Sequence, residues 1–351
     1  AQPGDRLVPF DIKVKEATGG GSITIEAKSG AEQARQTITI PIRNPNPVVT
    51  AERYQVLQPG ETMTANLAPI GISGTNEALL EVSVIPPLNL SSRLGYLIRY
   101  PHGCVEQTSS RIFPQLFLTD LLDLSPGREE EIQRNIKVAV AKLASFQQAN
   151  GGLSYWPGMN TIDDWSTTYA GHFMLLAKER GYALPYDFLN GWLDYQRQLA
   201  TRWTPEQEGS HYGYSSQLIQ AYRLYTLALA GEPELGAMNL LREQPQLSNV
   251  AAWRLAAAYA YAGQRAAALT LTANLRTQVL THAYHRTYGS ALRDKAIILE
   301  CMAVLGLKQK AEQLATEISG QLMQEQWYST QTTAYSLIAL AQYARPEEAG
   351  E

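Results

Sequence analysis

The chain has 351 residues, 45% of them hydrophobic, which is enough for one large domain with a substantial core and one or two smaller domains. Its net charge is −4 with acidic and basic residues interspersed, which excludes a strongly basic nucleic-acid-binding protein and gives no amphipathic run typical of a membrane surface. The first residue is not Met, no signal peptide or transmembrane segment is visible, and the opening reads like the interior of a β-domain. We therefore expect a fragment of a longer protein.

The first 90 residues are predicted to be β-structure, because apolar and polar residues alternate along several short segments. Glycine-rich and Asn-Pro segments separate these runs, as turns do. The alternation predicts about six half-buried antiparallel strands in two small β-units. The predicted strands are residues 10–15, 22–26, 37–42, 48–57, 62–67 and 79–85.

From about residue 88 the pattern changes to long segments with helical spacing, rich in Ala and Leu. Six mostly apolar helices are predicted to start at a Ser or Thr pair, because these residues are good N-caps. Amphipathic segments lie between the six helices. Repeated helix pairs form either an open α-solenoid or a closed ring, and apolar inner helices alternating with amphipathic outer ones favour the ring. The predicted fold is thus mainly α, an α/α toroid of six helical hairpins preceded by a small antiparallel β-sandwich region. The marking serines are Ser109, Ser166, Ser215, Ser248, Ser290 and Ser329.

Residues 101–107 read Pro-His-Gly-Cys-Val-Glu-Gln and are the most informative segment of the chain. Cys104 precedes Gln107 by three residues, and side chains at i and i+3 meet on one face of a helix or tight turn. A thiol held against a Gln amide can displace ammonia and form an internal thioester. The spacing alone leaves open an ordinary cysteine at a helix start beside a solvated glutamine.

The surroundings of Cys104 favour the thioester. Pro101 and Gly103 predict a turn just before the cysteine, and the first inner helix follows. A helix N-terminus stabilises a thiolate both as the attacking group and as the leaving group. Glu106 is a candidate proton shuttle in either step. The second cysteine, Cys301, lies in an apolar helical run and is predicted to be a buried thiol, with a disulfide to Cys104 as the alternative.

The segment Gly103-Cys-Val-Glu-Gln107, with predicted β-units before it and a toroid after it, resembles the thioester domain of the α2-macroglobulin and complement family. Residues 151–158, Gly-Gly-Leu-Ser-Tyr-Trp-Pro-Gly, resemble the Gly-rich aromatic stretch of bacterial members, and Val105 stands where vertebrate members usually have Gly. The resemblance implies the end of a macroglobulin-like sandwich at 1–46, the first part of a CUB-like domain at 47–90, and the thioester domain at 91–345.

The resemblance implies a bacterial inhibitor that traps proteases, rather than an enzyme. Cleavage of a bait region elsewhere in the protein exposes the acyl carbon of Gln107, a protease lysine attacks it, and Cys104 leaves in a single turnover. Tyr100 fits the position of an upstream aromatic residue that shields the thioester in bacterial members. A monomer without a cofactor is expected, in the periplasm, anchored to the inner membrane through a lipid on an upstream segment. The family also allows a periplasmic peptidoglycan synthase as a partner, whereas nucleic acid is not expected.

Other candidate residues have less support. The resemblance implies that His211 lies near the position of the hydroxyl-directing His of complement members. His172 is predicted to be a core residue, and Asp163 and Asp164 are predicted to be charges at a helix start. The alternative function is an α/α-toroid carbohydrate-active or cyclase-type enzyme, in which Asp163, Asp164 and Glu106 line a cavity. His282 and His285 have the spacing of a metal pair, but no cluster of ligands accompanies them.

Overall fold

The computed structural model describes residues 7–15, 18–43, 49–51, 53, 55, 57, 60–78, 80, 82, 98–205, 211–279, 286–324 and 327–345, and of 211–214 only the backbone. The chain is mainly helical with one small antiparallel sheet, as predicted at the level of fold class. It divides into two compact units, Ala1–Val82 and Ser83–Glu351.

The first unit contains an antiparallel pair of strands, β1 (Gly19–Ser29) and β2 (Glu32–Ile42). Ser29 pairs with Glu32, so the hairpin loop has two residues, and its first residue, Gly30, has a positive φ of 61°. A glycine at that position suits the turns whose twist matches that of the flanking strands. The strands predicted at 22–26 and 37–42 are confirmed.

The other strand predictions in the first unit are wrong where the structure describes the residues. Residues 10–15 and 62–67 are not strands, and neither are the described residues of 48–57. Phe10, Ile12 and Val14 are each more than half exposed, because a run with strand periodicity stays irregular unless another strand supplies its hydrogen bonds and covers its apolar face. Residues 79, 81 and 83–85 of the last predicted strand lie outside the described residues.

The second unit is a helical array in which apolar helices alternate with amphipathic ones. Helix α1 is followed directly by a short 3-10 helix, Phe113–Leu116. The helices are α1 (Val105–Ile112), α2 (Leu118–Leu121), α3 (Pro126–Ala144), α4 (Asp164–Glu179), α5 (Phe188–Arg202), α6 (His211–Leu229), α7 (Leu235–Arg242), α8 (Asn249–Tyr261), α9 (Arg265–Thr272), α10 (Ala291–Val304), α11 (Lys308–Leu322) and α12 (Thr330–Ala344).

Six of these helices contact one another in a cyclic order, which is α1, α4, α6, α8, α10 and α12, with α12 returning to α1. We call these six the inner helices. Their described side chains are buried on nearly all sides, whereas α3, α5 and α11 bury only one face. A helix that is apolar all round is stable only when neighbours surround it, and the amphipathic helices supply the outer cover.

The helix starts are only partly those predicted. Ser248, Ser290 and Ser329 are N-caps of α8, α10 and α12, and each side chain accepts a hydrogen bond from the backbone N–H three residues on. Ser109, Ser166 and Ser215 instead lie inside helices, which corrects the prediction for these three. The Ser109 hydroxyl donates to the carbonyl of Val105 at 2.8 Å, the local bond that serine makes inside a helix.

A buried charged cluster lies among the inner helices. The Arg254 guanidinium is 2.7 Å from the Glu300 carboxylate and packs over the rings of Tyr222 and Tyr225. His172 contacts the Tyr222 hydroxyl through Nδ1 at 2.9 Å, and burial lowers its pKa well below the usual range. The prediction that His172 is a core residue is confirmed. Cys301, the residue after Glu300, is a buried free thiol.

Gly171 on α4 has no room for a side chain, because a Cβ there would lie 2.0–2.3 Å from three ring atoms of the buried Trp192 on α5. We expect Gly171→Ala to lower the free energy of unfolding by about 1–3 kcal/mol, the usual cost of overpacking a core. The measurement is urea denaturation at neutral pH. Gly320→Ala is the matched control: a Cβ on this α11 residue meets no atom within 4 Å, and the change is expected to stabilise by about 0.5–1 kcal/mol. Equal effects of the two substitutions would contradict the packing.

Candidate functional site

Cys104 lies at the end of a turn, residues 101–104, which we call the cysteine turn. It is the N-cap residue of α1, with extended backbone angles, and its Sγ accepts a hydrogen bond from the backbone N–H of Gln107 at 3.5 Å. The side chain is 1% exposed and its thiol is free. The sulfur thus occupies the position where a helix N-terminus stabilises negative charge.

The Gln107 side chain folds back over Gly103. A Cβ on Gly103 would lie 2.2 Å from the Gln107 Oε1 and 3.1 Å from its carboxamide carbon Cδ, so only glycine leaves space for this arrangement. Gly103 also has φ of +105°, which disfavours any residue with a side chain. The carboxamide therefore lies against the residue that precedes Cys104, and the acyl and thiol groups belong to the same turn.

A tyrosine covers Cys104 from a segment that we call the tyrosine loop, residues 151–163. The carbonyl of Tyr155 accepts a hydrogen bond from the backbone N–H of Val105 at 3.2 Å. The neighbouring Cys104 thiol, ahead of burial, raises the pKa of Tyr155 above its usual range. The tyrosine loop therefore packs against the turn that carries Cys104.

Tyr155 is held in turn by a second tyrosine. The rings of Tyr155 and Tyr288 stack with centroids 6.1 Å apart and an interplanar angle of 23°. The Tyr288 hydroxyl donates to the Asp163 carboxylate at 2.9 Å, and Asp163 also caps α4 by accepting from the backbone N–H of Ser166 at 2.7 Å. Burial and the Asp163 charge raise the pKa of Tyr288. Neither Tyr155 nor Tyr288 is a predicted site residue, although Tyr155 lies in the Gly-rich stretch that carries the family resemblance.

Glu106 points into the protein. Its carboxylate accepts from the Ser110 hydroxyl at 2.7 Å and from the Gln331 amide of α12 at 3.5 Å. The residue is 7% exposed, and this burial raises its pKa above the ordinary value, although both hydrogen bonds act in the opposite direction. Glu106 therefore connects α1 to α12, and its role as a proton shuttle stays a prediction.

The outer side of the cysteine turn is polar and open. Tyr100 is 48% exposed, and its ring centroid lies 4.5 Å from that of His102. Lys142 on α3 donates to the carbonyl of Pro101 at 2.9 Å, and partial burial followed by the nearby Arg111 charge lowers its pKa. Arg111 donates to the carbonyl of His102 at 3.2 Å. These bonds fix the backbone of the turn from both sides.

The remaining sequence predictions fall elsewhere. His211 is the first residue of α6, its side chain is outside the described part of the chain, and so are His282 and His285. Asp164 lies 3.7 Å from Arg286 and accepts from the Tyr195 hydroxyl at 3.3 Å, so it is paired at the start of α4.

Within the described residues, no group of three or more His, Cys, Asp or Glu side chains could hold a metal ion, and no helix is both long and apolar enough to span a bilayer.

No protein-family model matches the chain, but curated proteins do. It is 28% identical over 367 residues to the α2-macroglobulin of Escherichia coli strain K12, an alignment that covers 96% of this chain and 22% of the relative. It is 26% identical over 376 residues to the α2-macroglobulin of Xylella fastidiosa strain Temecula1, covering 97% of this chain and 22% of the relative. The chain thus spans about a fifth of the length of these relatives.

Solved structures agree with the sequence comparison. The native E. coli α2-macroglobulin fragment from domain MG7 to the C-terminus matches with a TM-score of 0.62 and 25% identity, over 93% of this chain and 54% of that one. Salmonella α2-macroglobulin reacted with methylamine matches with a TM-score of 0.63 and 25% identity, over 95% of this chain and 23% of that one. The family resemblance inferred from the sequence is confirmed: the chain is similar to bacterial α2-macroglobulins over nearly its whole length.

The raised pKa of Glu106 has a consequence for stability. The folded state binds the Glu106 proton more tightly than the unfolded state does, so this residue's contribution to the free energy of unfolding falls as pH rises from the unfolded-state pKa through the higher folded-state pKa. Glu106→Gln removes that loss. We expect the variant to gain stability relative to the unmodified protein as pH rises above about 4, the ordinary pKa of glutamate, measured by urea denaturation. Glu130→Gln, on the exposed face of α3, controls for the loss of one charge. A stability difference for Glu106→Gln that is independent of pH would contradict the burial of the carboxylate.

Proposed function

We propose that this chain is the thioester-bearing segment of a bacterial α2-macroglobulin, a protease inhibitor rather than an enzyme. The proposed organisation keeps the domains inferred above: residues 1–46, 47–90 and the thioester domain at 91–345. The cyclic order of contacts among the inner helices supports an α/α toroid for the last of these. The arrangement of Cys104, Gly103 and Gln107 is the observation that carries the proposal.

The chemistry of the proposed bond follows from that arrangement. The Cys104 thiolate attacks the Gln107 Cδ, a carbon–sulfur bond forms, and the carbon–nitrogen bond of the carboxamide breaks with release of ammonia. The N-terminus of α1 stabilises the attacking thiolate. Glu106 is proposed to accept and return the proton in this exchange.

The proposed inhibitor traps a protease after bait cleavage elsewhere in the full protein. A lysine amine of the protease attacks the Gln107 acyl carbon, an amide forms, and the Cys104 thiol is released, so each molecule acts once. E. coli α2-macroglobulin has been solved after activation by porcine elastase, and the Salmonella protein after reaction with methylamine. The first relative supports a protease target, and the second supports an amine-reactive group in this family.

The remaining features are proposed by analogy with the bacterial relatives. Tyr100, half exposed on the outer side of the cysteine turn, is proposed to shield the bond together with a later domain. The full protein is proposed to be a periplasmic lipoprotein of the inner membrane that acts as a monomer in host defence. A peptidoglycan synthase remains a proposed second partner. His211 is proposed, on the resemblance alone, to lie near the site.

The alternative of a toroid enzyme is not favoured. The Asp163 carboxylate accepts hydrogen bonds from the N-terminus of α4 and from Tyr288. Asp164 is paired with Arg286 and Tyr195. Both are arrangements expected for charges at a helix start. Glu106 is buried against Ser110 and Gln331. The relatives, moreover, are α2-macroglobulins.

The thioester is tested by methylamine. We expect the unreacted chain to incorporate one methylamine at Gln107 and to release one Cys104 thiol for each amine bound, because both products come from the same bond. Peptide mass spectrometry locates the amine and thiol titration counts the sulfur. Cys104→Ala should incorporate none, whereas Cys301→Ala, which removes the other buried thiol, should react like the unmodified chain. Incorporation in Cys104→Ala would exclude the mechanism.

Gly103→Ala tests the packing of Gln107. The new Cβ would occupy the space of the Gln107 carboxamide and strain a backbone with positive φ, and we expect methylamine incorporation to fall about tenfold or more. Gly158→Ala is the control, because Gly158 also has a positive φ, +80°, but a Cβ there meets no atom within 4 Å. Equal incorporation by the two variants would show that the space at Gly103 is irrelevant to the chemistry.

A further inference from the structure

A buried arginine lies beside Gln331, the α12 residue that donates to Glu106. Arg293 on α10 donates from Nη1 to the Gln331 Oε1 at 2.8 Å. The same guanidinium donates to the carbonyl of Thr287 at 2.9 Å, to the Thr287 hydroxyl at 3.1 Å and to the Asp294 carboxylate at 2.6 Å. The position of the guanidinium is therefore fixed by three bonds that do not involve Gln331.

The contact with Arg293 decides which end of the Gln331 amide faces Glu106. An arginine side chain has hydrogen-bond donors and no acceptor, so the Gln331 atom that meets it must be the oxygen. The amide nitrogen then faces Glu106, and it lies 3.5 Å from the Glu106 Oε1. Because an amide nitrogen only donates, Gln331 is a donor to Glu106. The Ser110 hydroxyl donates to the same oxygen at 2.7 Å, so two donors converge on it.

Two donors on one carboxylate oxygen favour the ionised form of Glu106. Burial is the larger effect and raises the pKa of Glu106, whereas the hydrogen bonds from Ser110 and Gln331 lower it. A proton acceptor must be ionised at the working pH, because a carboxyl group that already holds its proton cannot take another from an attacking amine. The two donors therefore oppose the effect that would make this buried acid useless as a base.

We propose that Gln331 is a positioning residue for Glu106: Arg293 fixes the orientation of the Gln331 amide, and the amide holds the Glu106 carboxylate in the form that accepts a proton. This inference rests on the proposed thioester function, with Glu106 as its proton shuttle. When an amine attacks the Gln107 acyl carbon, a carbon–nitrogen bond forms and the carbon–sulfur bond breaks, with its electron pair going to sulfur. The amine proton passes to Glu106 and then to the Cys104 thiolate, which regenerates the carboxylate.

Other titratable groups face Glu106 from α1, α4 and the tyrosine loop. After burial and the two hydrogen bonds, the Asp163 charge raises the pKa of Glu106 and the Arg111 charge lowers it. Tyr155 and Tyr169 interact with the same carboxylate. The thiol of the cysteine turn raises the pKa of Tyr155, and burial raises that of Tyr169, so both phenols stay neutral at neutral pH. A substitution at position 331 leaves all four groups in the chain.

Gln331→Met is the direct test, because methionine keeps the length of the side chain and removes both of its polar ends. Arg293 retains its three other bonds in this variant. The measurement is the rate of Cys104 thiol release by methylamine from acid to mildly alkaline pH, divided by the concentration of unprotonated amine. The rate should rise with pH as Glu106 ionises. Loss of one donor to the carboxylate should shift that rise upward by about one pH unit.

Gln196→Met is the matched control. Gln196 on α5 is buried in the same kind of arrangement, since its Oε1 accepts from the Arg223 Nε at 3.0 Å and its amide nitrogen donates to the Thr168 hydroxyl at 3.1 Å. The acceptor there is not a carboxylate, so this variant should keep the pH profile of the unmodified chain. An unshifted profile in Gln331→Met, or the same shift in both variants, would overturn the proposal. A shift that persists after Glu106→Gln would overturn it as well.

A stability measurement tests Gln331 without the thioester. Glu106→Gln is compared with its parent by urea denaturation across pH, once in the unmodified chain and once in the Gln331→Met chain. The folded-state pKa of Glu106 is raised, so its contribution to stability is lost as pH rises through that pKa. Removal of a donor raises the folded-state pKa further, and we expect the loss to end about one pH unit higher in the Gln331→Met chain.

The two measurements separate this inference from the proposed function. If the unmodified chain incorporates no methylamine, the thioester fails, and the stability comparison alone decides whether Gln331 holds Glu106 in its charged form. An identical pH dependence of the Glu106→Gln effect in the two chains would reject that role for Gln331.

Discussion

The close contact between the Gln107 side chain and Gly103 is the constraint on which the site depends. It brings a carboxamide against the turn that carries Cys104, and only a residue without a Cβ leaves room for it. The positive φ of Gly103 turns the chain so that Cys104 begins α1 as its N-cap. One glycine thereby sets both the position of the acyl group and the electrostatic environment of the thiol.

The helices around the cysteine turn hold it from several directions. Gln331 on α12 hydrogen-bonds to Glu106, Lys142 on α3 hydrogen-bonds to Pro101, and the tyrosine loop before α4 hydrogen-bonds to Val105. These elements are distant in sequence and are brought together because α1 packs between α4 and α12. The helical array buries the Cys104 sulfur, which a short peptide of the same sequence could not do. The Gln107 side chain nevertheless remains at the surface.

The parts of the site that sequence could predict are local. The spacing of Cys104 and Gln107, and the need for a turn at Gly103, follow from neighbouring residues. Tyr155 and Tyr288 could not be found in this way, because the two stacked rings lie more than 130 residues apart in sequence and leave no periodic signal. Ser166 was misread as a helix start because a Ser-Thr pair resembles a cap, whereas Asp163 made the cap three residues earlier. Strand periodicity was equally insufficient at residues 10–15, where no described strand pairs with them.

The central claim is that Cys104 converts the neighbouring Gln107 carboxamide into an acyl group. Tandem mass spectrometry of the peptide containing Gln107 tests it most directly, on unreacted protein and on the Cys104→Ala variant purified in the same way. We expect Gln107 to have lost its ammonia in the unmodified chain, as the thioester or as its hydrolysis product glutamate, and to keep the carboxamide in the variant. An intact carboxamide at Gln107 in both proteins would show that no thioester forms.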